Sequence, residues 1–540
     1  MHGAVSNLIQ MCRVGKVIKM TIIMKITRTV AAAVSLLILC TSCYKDPVVR
    51  PHKPDTDKSD TEDVLPTPMP KEAYSPSLKG YPYLPVTVKY STSNSRPVVW
   101  KEEKARILPY LLNFTPDTTI ERYRSVTNKW GSRTDWPKHD ATGRFRVEKV
   151  GDRWWIIDPE GYMHFNRCVT SFRKGSSARN DVGWKSRFVS DADWVAKTQA
   201  ELAGIGFHGT GAFCTDAYQL IQKHNSAHPE APLTLAPSFG FLSQFRTTVG
   251  GYPGGNSANA AGLVFYDGWD AFCKNYVKNG DVKPYLKDPN VLGIFSDNEI
   301  DFTSASSNNE TAYLLFRLLN ISDASNPARV AAEKWCREVL GKDPSVHSKI
   351  YYADNCRFAG YVAEKYYSAV KAALNEADPG MMYLGTRLHG TPKYIQEVVE
   401  AAGKYCDIVS INYYSRWSPE LTTSVKDWAT WANKPFIVSE FYTKGIEDSD
   451  LDNTSGAGFG VPTQKERAYA YQHFTLGLLE APNCVGWHWF KYQDDDGKDN
   501  DGKPVNKGVY DNSYKMYPYL GKYMKAVNLN VYDLIKFFGD

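Results

Sequence analysis

Between residues 163 and 490 the chain alternates short, unbroken apolar runs with stretches of helical spacing. This alternation restricts the fold more than any other feature. The runs are 163–172, 207–212, 233–241, 291–295, 382–386, 407–411, 436–438 and 485–490. A strand with one wet face alternates polar and apolar residues, so unbroken apolar runs suit strands covered on both faces, as in a parallel sheet. Between them, 190–204 opens on a Ser190…Asp193 cap, and 267–280 sets Trp269, Phe272, Cys273, Tyr276 and Val277 on one face. The segment 357–377 does the same with Phe358, Val362, Tyr366, Val370 and Leu374. Eight runs separated by helices predict an α/β chain closed into a (β/α)8 barrel of the TIM type. An alternating hairpin, 144–150 and 153–157 about Gly151-Asp152, precedes the first run. The predicted barrel domain is therefore 144–540, and 74–143 reads as an irregular accessory layer.

The first residues read as an address. From Met24, Lys25 and Arg28 precede an apolar stretch from 30 to 40, and Thr41-Ser42-Cys43 follows. That stretch is too short to span a bilayer, and its pattern resembles a bacterial lipoprotein signal with lipid attached at Cys43. Residues 1–43 are taken as an upstream segment plus that signal. Residues 44–73, rich in Pro, Asp, Thr and Lys, are too polar to order themselves and read as a disordered tether. The expected location is the bacterial cell envelope, lipid-anchored at the outer membrane. Net charge is +5 from 64 basic and 59 acidic residues with no basic stripe, which argues against a nucleic-acid partner. The seven cysteines beyond the leader are scattered and form no Cys-x-x-Cys, which argues against a disulfide framework or zinc site.

Two runs end abruptly in glutamate, Phe295-Ser296-Asp297-Asn298-Glu299 and Ile437-Val438-Ser439-Glu440. A carboxylate at the end of a buried strand is costly unless it is used. Numbered along the chain, these runs are the fourth and seventh strands, whose carboxyl ends would face one pocket. Paired carboxylates there suit glycosidic bond cleavage. Asp297 is the alternative acid. The loop 494–502 lacks the spacing of a calcium loop and reads as a solvated acidic turn, so neither metal nor cofactor is expected.

A strand-four Asn-Glu with a strand-seven Glu resembles glycoside hydrolase clan A, the retaining glycosidases. Three further segments, 153–161, 383–390 and 486–494, with 506–511, resemble glycoside hydrolase family 50, the β-agarase-like enzymes. The resemblance implies Glu299 as acid/base, Glu440 as nucleophile and Asn298 as a ligand of the sugar 2-hydroxyl. It also implies that a tyrosine after strand six, Tyr413 or Tyr414, bonds the nucleophile. Trp489, sharing a strand face with Trp487, is expected beneath the cleaved sugar. Arg387 and His389, after strand five, are candidate substrate contacts. The implied substrate is a β-linked polysaccharide or oligosaccharide, an agarose-like galactan first. A β-mannan or β-glucan is the alternative. A surface lipoprotein that binds glycan without cleaving it is the reading of another class.

Overall fold

The computed structural model describes residues 80–89, 100–214, 217–303, 313–496 and 503–539. The chain divides into residues 1–64 and 65–540, and every described residue belongs to the second unit. The leader, the tether and Cys43 lie outside the described residues, as does 497–502 of the acidic loop.

Six strands form one parallel sheet. Their spatial order is Val409–Asn412, Phe436–Phe441, Cys484–Trp489, Asn166–Val169, Gly209–Thr210 and Thr234–Leu235. Every residue in them is buried, the physical cause of the unbroken apolar runs. Ser238–Phe239 and Phe295–Ser296 make a separate two-stranded parallel sheet. The expected eight-stranded barrel is thus corrected: the ladders give six strands and two. The run 382–386 forms no strand and meets its neighbours through the isolated bridge Ile294–Tyr383 and scattered backbone bonds such as Ser296 N–H on the Gly385 carbonyl at 2.9 Å. Backbone chemistry interrupts the runs. Pro237 has no N–H for a ladder and splits 233–241, while Gly385 (φ 75°) and Arg387 (φ 59°) adopt left-handed conformations that no strand continues through.

The first run also divides. Met163–His164 completes an antiparallel sheet with the hairpin Arg146–Val150 and Arg153–Ile157, and Asn166–Val169 enters the parallel sheet. Nor is the segment before the hairpin wholly irregular. Leu84–Lys89 and Trp100–Ala105 pair antiparallel and join Thr443–Gly445 and Phe459–Val461, from the chain after Glu440. Helices Asp191–Gly204, Trp269–Asn279 and Tyr352–Ala377 stand where the spacing puts them. Helix Gln464–Leu479 is buried at every residue from Arg467 onward, so it carries no amphipathic signal to read. One apolar cluster gathers Ala212, Leu292, Met382, Ile408, Ile437 and Val485 over Ile156 of the hairpin. All six strands of the main sheet run the same way, so their carboxyl ends share one edge, where Asn412, Glu440 and Trp489 stand. All seven cysteines beyond the leader are buried and none is in a disulfide among the described residues, in keeping with small apolar side chains.

Candidate active site

Glu440 is the penultimate residue of Phe436–Phe441 and lies opposite Asn412 in the neighbouring strand. Its side chain is only 6% exposed. Arg387, with no exposed surface, forms an ion pair through Nη2 with Glu440 Oε1 and bonds the Ser439 carbonyl at 3.3 Å. Tyr414 donates its hydroxyl to Glu440 Oε2 at 2.7 Å. Burial raises the Glu440 carboxyl above the usual range; Arg387 opposes that, the Glu299 charge adds to it and the Tyr414 bond opposes it. Arg387 is itself fixed by its backbone N–H on Ser410 Oγ (2.9 Å), and its guanidinium lies over the rings of Phe213 and Phe295 at 4.7 and 5.4 Å.

Glu299 reaches the same place from the other side. Its left-handed backbone (φ 54°) is pinned by its N–H on the Thr386 carbonyl at 3.0 Å. Asn412 Nδ2 donates to Glu299 Oε1 at 2.7 Å, and Asn412 Oδ1 accepts the Ser439 hydroxyl at 2.8 Å. One asparagine thus links Glu299 to the strand that carries Glu440. His389 Nδ1 faces Glu299 Oε2 at 3.5 Å. Burial, then nearby Lys393, lowers the imidazole to about 4, so His389 is neutral near pH 7. Asn298, exposed, and Glu299, half-exposed, border a solvent-open cleft also lined by Phe213, Phe239 and Tyr252.

The other site expectations sort by geometry. Of the two tyrosines, Tyr414 reaches Glu440. Tyr413 instead accepts the Glu420 N–H at 3.0 Å and packs on Trp428 and Phe474. The expectation of a sugar platform at Trp489 or Trp487 is corrected: neither has exposed surface. Trp489 donates to the Lys507 carbonyl and Trp487 to the Tyr471 hydroxyl, both at 2.9 Å, facing helix Gln464–Leu479. Strand alternation put the pair on one face, but tertiary packing made it the covered one. Phe490, next along, keeps part of its surface. Asp297 is not poised as the acid. Its carboxylate accepts the Tyr366 hydroxyl (2.6 Å) and the Leu242 N–H (3.0 Å), capping helix Phe241–Thr248. Asp494 and Asp495 are buried rather than solvated. The former accepts from Gly508 N and the Tyr517 hydroxyl, and the latter pairs with Lys507. Among the described residues no group of three or more His, Cys, Asp or Glu could hold a metal.

Sequence reasoning gave Asn412 no role and gave Arg387 the wrong partner. The signal for Asn412 was present: it too is a polar residue closing an apolar run.

No family model matches the chain. A solved structure of BpGH50 is 46% identical, with a TM-score of 0.80, over 88% of this chain and 100% of that one. A solved exo-beta-agarase, 18% identical over 78% of this chain and 68% of its own, shares the fold with a TM-score of 0.62. Beta-agarase B of Vibrio sp. (strain JT0107) is 26% identical over 508 residues, 76% of this chain. The chain spans about half the length of that curated relative.

Proposed function

The chain belongs to glycoside hydrolase family 50, and from that premise we propose that it hydrolyses an agarose-like, β-linked galactan with retention of configuration. The observation that carries this reading is the meeting of Glu299 and Glu440 about Asn412. Their environments differ. Glu440 is held by a guanidinium and a phenol, both of which favour its charged form, and attacks the anomeric carbon. Glu299, open to the cleft, protonates the departing oxygen and then takes a proton from the water that releases the sugar. Asn298, exposed beside Glu299, takes a sugar hydroxyl in this reading. The comparisons reach family 50 and not the wider clan A, so the two roles rest here on geometry. The agarase names of the relatives and the open cleft support the choice of a galactan.

The test is hydrolysis of agarose oligosaccharides beside mannan and glucan, with the anomer of the first product followed by NMR. The β-anomer from the galactan is expected, and an initial α-product overturns the nucleophile. Glu299→Gln should lower kcat/KM about 10²–10⁴-fold, and unchanged hydrolysis by Glu440→Gln ends the proposal. For location the proposal is a lipid on Cys43 at the cell envelope, so Cys43→Ser should release the protein from the membrane fraction.

A further inference from the structure

Asn412 does more than join two strands. Its NH2 end faces two acceptors, Glu299 Oε1 at 2.7 Å and Asn298 Oδ1 at 3.4 Å. Its oxygen end takes the Ser439 hydroxyl at 2.8 Å, and Ser439 and Asn412 are both fully buried. An amide NH2 can only donate, so the oxygen it meets must be an acceptor in both protonation states of the carboxyl. A carbonyl oxygen accepts far better than an acid hydroxyl, so this bond favours Oε1 as the carbonyl-type oxygen when Glu299 is protonated. The remaining oxygen, Oε2, lies toward His389 Nδ1. The charged and titratable groups around Glu299 are His389, Lys393, Tyr414 and Glu440.

We propose that Asn412, oriented by Ser439, is the positioning residue that confines the transferable proton of Glu299 to Oε2. This rests on the reading of Glu299 as acid/base. In the first step the Oε2 proton passes to the glycosidic oxygen as its bond to the anomeric carbon breaks, and a Glu440 oxygen forms the new bond to that carbon. In the second, Oε2 takes a proton from water, the hydroxyl bonds the anomeric carbon and the Glu440 carboxylate leaves.

The experiment compares Asn412→Ala and Asn412→Asp with the wild-type protein. The substrates are an agarose oligosaccharide, whose leaving group needs a proton, and a dinitrophenyl β-galactoside, whose leaving group does not. For Asn412→Ala, kcat/KM on the oligosaccharide should fall about 10–100-fold, a part of what a placed acid contributes. On the dinitrophenyl substrate it should change less than about 3-fold. Removing a donor to the charged form also moves the basic limb of the oligosaccharide profile to higher pH, and Asp at 412 moves it in the same direction. Ser439→Ala, which frees the other end of the amide, should reproduce the pattern in smaller degree if Asn412→Ala does not fold. Equal losses on both substrates with an unmoved limb overturn the proposal. If Glu299→Gln itself loses both substrates equally, the acid/base reading has failed. If Glu299→Gln spares the dinitrophenyl substrate while Asn412→Ala does not, only the proton placement has failed.

Discussion

At the scale of single residues, the site is organised around a buried ion pair. Arg387 and Glu440 are both removed from water, so their attraction only offsets the desolvation each has suffered, and breaking the pair is costlier than making it is favourable. Arg387→Met should therefore cost about 3–5 kcal/mol in urea denaturation. It also removes a force that lowers the Glu440 carboxyl, so the acid limb of kcat/KM should move to higher pH. An acid limb left in place would show that Arg387 supports the fold alone. The sequence showed Arg387 only as a polar residue after a run. That its partner would be the glutamate rather than a ligand depended on a left-handed turn bringing it back beneath the next two strands.

At the scale of elements, helix Phe241–Thr248 begins at Gly240, which offers no side-chain cap, and Asp297 supplies one from another element. Asp297→Ala should destabilise the protein by about 1–2 kcal/mol, since it uncaps the helix and strands the Tyr366 hydroxyl. Asp297→Asn, which still accepts, should recover most of the loss in the same denaturation series. Burial raises the Asp297 carboxyl to about 6, so its contribution is full below its unfolded value near 3.8, shrinks as pH rises from there, and is gone above about 6. The helices with one apolar face were legible in the sequence. Helix Gln464–Leu479 was not, because a helix covered all round has no periodic contrast. The strands were legible as apolar runs but not in their pairing, because Pro237 and Gly385 break ladders without breaking hydrophobicity.

For the molecule as a whole, acid is the expected weakness. Burial holds His164, His473 and His488 neutral, each lowered to about 3. A depressed histidine adds stability above its unfolded value and loses it as pH falls from about 6.5 toward 3. Asp297 and Asp494, raised to about 6, pull the other way over a narrower interval. Three wide shifts outweigh two narrow ones, so Tm should decline steadily below pH 6.5; a Tm flat from pH 6.5 to 4 would contradict the burial of these imidazoles.

The sequence by itself determined the α/β alternation, the two strand-end glutamates and the family likeness. All three are local: they depend on which residues are apolar and where a run stops. Only the tertiary structure decided that the strands pair as six and two, that Arg387 serves Glu440, that Trp487 and Trp489 are sealed, and that Asn412 ties Glu299 to the strand of Glu440. Each of those turns on which face of an element is covered and which backbone N–H finds a partner across the chain, and neighbours along the sequence do not fix that.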